Sequence, residues 1–276
     1  MKEIIIDTLL DIIKVIPFLF VAFLIIEYTE HKLSHKNANI IKKAGKTGPI
    51  FGSILGVIPQ CGFSVLATNL YITRIITLGT LFSIYLSTSD EMLLIMIAEH
   101  ADINKILLII LIKIIISMLA GVLIDLFIKQ KDNENFEICK DEHCHCENNF
   151  IKSALKHTIK ITLFILIITF ILNTCFHYIG EKNIKQIFNQ NNILTPFISG
   201  LIGLIPNCGA SVIITELYLN NVLTLAQSIS GLLTNSGVAL LVLFKSNKNV
   251  KENIKIVSLL YIIGVISGLL LELFIN

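Results

Sequence analysis

Charge is what this sequence has least of. Only 15% of its 276 residues are Asp, Glu, Lys or Arg, where a soluble domain carries about a quarter. The net charge is +2, which points to neither a nucleic acid nor an acidic partner. Arginine is reduced to Arg74 alone. Phosphate sites are usually built from guanidinium forks, so a phosphate-bearing substrate is disfavoured. Catalytic signatures are missing as well: the chain has no GxSxG and no HExxH. Gly45-Lys46-Thr47 resembles the end of a P-loop, but Ile40 stands where the first glycine belongs. An ATP-driven pump is excluded on that ground, and uphill transport would draw on an ion gradient or a partner protein.

What is present is hydrocarbon. Residues of the apolar class make up 54% of the chain. The runs Ile4–Glu27, Lys105–Ile128, Ile151–Phe176 and Ile254–Ile275 each reach the ~20 residues that cross a bilayer. The first run is read as a span and not as a cleavable leader, because it is long, contains Asp7, Asp11 and Lys14, and lacks a small-residue cleavage site.

The chain also repeats itself. PIFGSILGVIPQCGFSVLATNLY begins at Pro49 and PFISGLIGLIPNCGASVIITELY at Pro196, an offset of 147. Pro59/Pro206, Cys61/Cys208, Gly62/Gly209, Ser64/Ser211, Ser89/Ser236 and Gly121/Gly268 keep that offset. Chance likeness between apolar runs would match Leu with Ile, not Pro, Cys, Gly and Ser in one register. Upstream, a register one residue shorter pairs Leu9/Leu155, Asp11/His157 and Lys14/Lys160. The expected organisation is a first transmembrane repeat over 1–128, a Cys/His-rich loop over 129–150 and a second repeat over 151–276.

Basic residues orient the halves. If PQCG and PNCG lie in re-entrant hairpins, each half crosses three times and the second half is inverted. Lys32–Lys46, Arg74, Lys129–Lys140 and Lys245–Lys251 then share one side. With four crossings per half they would be divided between the sides. The sequence therefore predicts an all-α, polytopic membrane protein of two inverted repeats, each with a re-entrant helical hairpin. Both termini would lie outside and the Cys/His loop in the cytosol. Inverted repeats with broken helices hold their ion near the midplane.

Four groups of residues carry candidate chemistry. In Pro59-Gln60-Cys61-Gly62 and Pro206-Asn207-Cys208-Gly209, Pro and Gly break a helix. Gln60 and Asn207 offer oxygens there, while Cys61 and Cys208 offer soft thiolates. The plain alternative is a kink with a small buried cysteine. Ser87-Thr88-Ser89-Asp90-Glu91 and Thr234-Asn235-Ser236-Gly237 interrupt apolar runs. A carboxylate at membrane depth marks an ion or proton path, and the alternative is a wet patch near the interface. Because Asp90 and Glu91 meet Gly237 and Val238, one site built mostly by the first half is expected. Together with Ser64 and Ser211, these two groups form the expected ion pathway. Asp11 and His157 are candidate proton relays, against interfacial snorkelling. Cys139, His143, Cys144, His145 and Cys146 form a dense soft-ligand tract, read as metal binding. In the cytosol its thiols would stay reduced.

The IPQCG and IPNCG segments, STSDEM, and HCHCE followed by SALKHTIKI resemble the ten-transmembrane heavy-metal exporters, also known as arsenic-efflux-like proteins or manganese transporters. The likeness covers nearly the whole chain. It implies a multi-pass inner-membrane exporter with no organic cofactor. The primary reading is a secondary transporter exporting a heavy-metal or metalloid ion, with arsenite and manganese as candidate cargo. Its partners would be that ion and the lipid bilayer, without nucleic acid, and with room for a homo-oligomer. Two other classes remain open from the residues: a membrane-embedded metal-dependent enzyme acting on a lipid-linked substrate, and a membrane metal sensor or accessory subunit.

Overall fold

A computed structural model describes residues 8–10, 12–13, 15–17, 19–21, 23–24, 47–58, 61–89, 91–128, 150–179 and 194–275. Every regular element among them is an α-helix. In chain order these are α1 (Gly48–Leu55), α2 (Cys61–Ile72), α3 (Leu78–Ser87), α4 (Met92–Ala98), α5 (Ile103–Phe127), α6 (Phe150–Ile179), α7 (Thr195–Gly203), α8 (Cys208–Leu219), α9 (Leu225–Thr234), α10 (Ala239–Ser246) and α11 (Val250–Ile275). Among the described residues, five helical stretches are long and apolar enough to cross a membrane: Leu78–Ala98, Ile103–Phe127, Ala154–Ile171, Leu225–Ser246 and Val250–Phe274. The chain is an all-helical, polytopic membrane protein.

The spans fall into two kinds. Leu78–Ala98 and Leu225–Ser246 are interrupted, each made of two short helices, and are 59% and 89% buried inside the protein. The continuous spans, including Ile103–Phe127 and Val250–Phe274, are only 28–29% buried. Their outward faces are apolar at helical spacing: Leu107, Leu111, Ile115, Leu119 and Leu123 on α5 stand exposed. Such stripes belong against lipid. The interrupted spans form the interior, and the continuous ones screen them from hydrocarbon.

Helix starts in the two halves keep one offset. Gly48/Thr195, Cys61/Cys208, Leu78/Leu225, Met92/Ala239 and Ile103/Val250 are each 147 residues apart (208 − 61 = 147). Packing repeats in the same register. A Cβ on Gly121 would lie 2.0 Å from Ser83 Oγ and 2.6 Å from the Gly79 carbonyl, and one on Gly268 would lie 2.7 Å from Ser230 Cβ and 3.0 Å from the Ala226 carbonyl. Small residues at these positions let α5 close on α3 and α11 close on α9, as membrane helices require for tight association. Upstream, the buried stripe Thr8, Ile12, Val15, Leu19 and Phe23 corresponds to Ala154, Thr158, Ile161, Ile165 and Thr169 at an offset of 146 (154 − 8 = 146). This is the register that pairs Leu9 with Leu155.

Direction follows from which residues meet. Gly48, Gly52 and Gly56 of the α1 segment face Thr80, Ile84 and Ser87, so α1 runs in the same sense as α3. Ser64 meets Thr88 and Thr68 meets Tyr85, so α2 runs in the opposite sense. In the second half, the carbonyls of Pro196 and Gly200 receive Ser230 and Thr234, so α7 and α9 again run together. The halves interlock: α2 packs on α10 as well as α3, α8 on α4 as well as α9, and α3 touches α9.

Candidate functional site

Both interrupted spans break after ten residues, α3 at Ser87 and α9 at Thr234. Ten helical residues rise about 15 Å, half of a hydrocarbon core about 30 Å thick. Each break therefore falls near the middle of its candidate span, Leu78–Ala98 or Leu225–Ser246. Local chemistry makes them. Ser87 Oγ donates to the Ser83 carbonyl at 2.7 Å and Thr88 Oγ1 to that of Ile84 at 2.6 Å, and hydroxyls bonded back in this way satisfy carbonyls without continuing the helix. Thr88 then leaves the helix with ψ 127. In the second half Thr234 Oγ1 donates to Gly231 at 3.0 Å, and Asn235 takes ψ 112. Asn235 Oδ1 accepts from Gly237 N at 3.0 Å. Gly237 adopts φ 56, a left-handed conformation that favours glycine.

The breaks are protein interior. Ser87, Thr88 and Ser89 are 0–3% exposed, as are Thr234, Asn235 and Ser236. Ser64 Oγ reaches Thr88 Oγ1 at 2.8 Å, tying the helix that follows PQCG to the first break. Thr68 Oγ1 and Tyr85 OH continue this line at 2.6 Å. Ser89 Oγ donates to the Ser87 carbonyl at 3.2 Å. Ser236 Oγ is buried and has no hydrogen-bond partner among the described residues.

At the crossing stands Lys113, fully buried near the middle of α5. Its ammonium donates to the carbonyls of Thr88, at the end of α3, and of Leu232, in the last turn of α9, the latter at 3.1 Å. One side chain thus joins the two breaks. The 147-residue register puts Leu260 at the matching position in the second half, and it is buried too. The sequence reading absorbed Lys113 into an apolar run. The overlooked signal was a lone charge in mid-span, where charges are expensive and functional.

At PNCG the structure adds a role for one expected residue. Asn207, 1% exposed, caps α8, its Oδ1 accepting from Gly209 N at 3.1 Å. Cys208 opens α8 as a buried residue, and Ser211 Oγ donates to its carbonyl at 2.8 Å. Pro206 and Gly209 lie at the turn before α8 and within its first turn. Gly62, buried, lies at the corresponding place in α2. Pro59, Gln60 and Asp90 lie outside the described residues, as do Asp11 and the tract Cys139, His143, Cys144, His145 and Cys146. Cys61 and His157 are described only as backbone, in α2 and α6. Glu91 is half-buried at the start of α4. Among the described residues, no group of three or more His, Cys, Asp or Glu side chains is placed to hold a metal ion.

A second polar cluster lies at one end of the bundle. Arg74 NH1 and NH2 reach Glu252 Oε1 and Oε2 at 3.1 and 3.3 Å, and Tyr71 OH donates to the same carboxylate. This ties the turn after α2 to the first turn of α11. In the first half, Asp125, near the end of α5, accepts from Thr77 Oγ1 at 2.6 Å and Gly79 N at 2.7 Å, capping α3. Sequence reading weighed Arg74 as the lone arginine and as a loop charge, not as half of an ion pair, and did not single out Asp125.

Over residues 1–135, 126–250 and 159–275, the chain matches the family described as "Putative, 10TM heavy-metal exporter". The chain belongs to that family. Buried polar breaks within interrupted spans suit a member of such an exporter family, and this chain is a multi-pass membrane transporter. No curated protein and no solved structure matches it.

Proposed function

We propose that this exporter is a secondary transporter that moves a heavy-metal or metalloid ion out of the cell across the inner membrane, through the crossing of its two interrupted spans. The observation that carries the reading is the pair of breaks in mid-span, lined by buried Ser, Thr and Asn side chains from both halves. Irregular backbone at that depth is tolerated only inside protein or beside a water-filled path. The unpartnered hydroxyl of Ser236 suits a ligand there.

The halves are inverted repeats in this reading. Asp125 holds the end of α5 against the start of α3, while Arg74, just before α3, holds the start of α11. The end of α5 and the start of α11 thus lie on one side, as oppositely directed halves require. In the same reading, the segment that runs beside α3 as α1 and back as α2 is the re-entrant hairpin. Arg74, Lys245, Lys248 and Lys251 fall on the same side, which the positive-inside rule makes cytosolic. Both termini then lie outside, and the Cys139–Cys146 loop is a cytosolic metal contact.

Cys61 and Cys208 contact the cargo beside Gln60 and Asn207, and Asp90 with Glu91 holds the coupling proton or the charge of the cation. Asp11 and His157 relay protons. Thiolates and the Cys/His loop favour a soft ion such as As(III), and manganese follows, since it prefers the carboxylates and amide oxygens. No organic cofactor enters this scheme. Metal retention in cells with and without the protein tests it, and a Thr88→Val variant reports on the crossing.

A further inference from the structure

Lys113 does more than fill space in a polar crossing. An ammonium at mid-membrane is costly, and its partners here are particular. Thr88 is the C-cap of α3, and Leu232 lies in the last turn of α9. Carbonyls at these positions have no partner within their own helix. They also lie at the negative ends of two half-helix dipoles. Two such ends from opposite halves meet on one nitrogen. In transporters with discontinuous helices, half-helix C-terminal ends and unwound carbonyls are where a coupling cation is coordinated. The second half has no corresponding ammonium, because Leu260 occupies that register position.

We propose that Lys113 is a tethered cation: its ammonium occupies an alkali-cation subsite between the broken ends of α3 and α9, so neither sodium nor potassium is needed to hold those ends together. This goes beyond the transport reading, since it concerns a monovalent-cation subsite and is indifferent to the cargo. Removing both ammonium and stem should open the subsite to a free alkali cation. Removing the charge while keeping the bulk should not.

The test is thermal unfolding of the purified full chain in detergent, in sodium, potassium or choline chloride at equal ionic strength. Wild type and Lys113→Arg should melt at one temperature in all three salts. Lys113→Ala should melt about 5 °C lower in choline, and recover part of that loss, saturably, in sodium or potassium. Lys113→Met should melt low in every salt. The proposal is overturned if sodium or potassium stabilises the wild type over choline, or if Lys113→Ala in choline equals the wild type. It is equally overturned if Lys113→Met recovers as Lys113→Ala does, if Lys113→Ala stays low in all salts, or if it yields no folded protein when sodium is kept present throughout. None of these readouts involves metal flux, so failure of the export reading would leave them unchanged.

Discussion

Arg74 grips Glu252 with both terminal nitrogens, at 3.1 and 3.3 Å, across the boundary between the two halves of the chain. Asn247 Nδ2 adds a contact to the same carboxylate at 3.4 Å. The matching register positions are Asn221 and Lys105, which cannot form an ion pair. The latch therefore closes one end of the bundle without a counterpart at the other. Its side chains are 25% and 21% exposed, partly shielded from solvent. A double-mutant cycle with Arg74→Ala and Glu252→Ala should give a coupling of about 1–2 kcal/mol. Arg74→Lys should lose most of it, because an ammonium cannot reproduce the fork. Zero coupling would mean that the pair adds nothing to the closure of that end.

Close approach between α5 and α3 rests on Gly121. An added Cβ would meet Ser83 Oγ at 2.0 Å and the Gly79 backbone oxygen at 2.6 Å. Gly121→Ala should cost about 1–3 kcal/mol, measured as a drop in Tm. Gly268→Ala should cost less, since the nearest atoms there are Ser230 Cβ at 2.7 Å and the Ala226 carbonyl at 3.0 Å. Equal and negligible losses would show that the helices can part without penalty.

Ser64 and Thr88 share a hydrogen bond of 2.8 Å between α2 and the first break. Thr88→Val removes that partner and the hydroxyl bonded to Ile84, at a cost of about 1 kcal/mol in Tm-derived stability. Flux should fall far more than such a loss explains, because the break itself is altered. Transport at the wild-type rate would detach the break from the pathway.

The inverted arrangement proposed for the halves makes a topological prediction. Single cysteines introduced at Lys248 and at Asp102, in a background without native cysteines, should react with an impermeant thiol reagent from opposite sides. Lys248 should be reached from the cytosol. Labelling of both from one side would overturn the inverted arrangement.

Much of the fold was legible in the sequence because breaks and spans have different chemical signatures. Pro, Gly and Cys in PQCG and PNCG located the starts of α2 and α8, and STSDE and TNSG located the ends of α3 and α9. The position of those breaks was not legible: a polar patch reads alike near the end of a span and at its middle, and the ten-residue lengths of α3 and α9 put it near the middle of each candidate span. Lys113 escaped because one charge hardly changes the hydropathy of a 25-residue helix. Its two carbonyl partners come from helices distant in sequence. Asn207 was read as a ligand from its side-chain oxygen, but its capping bond to Gly209 depends on the extended backbone at φ −149.

Metal retention tests the central claim most directly. Cells with and without the protein are loaded separately with As(III), Zn(II), Cd(II), Cu and Mn(II), alongside Cys61→Ser/Cys208→Ser and Thr88→Val variants. The account predicts that one ion leaves faster when the wild-type protein is present, and that both variants abolish the difference. No difference for any ion, or full efflux by both variants, would contradict export through this crossing.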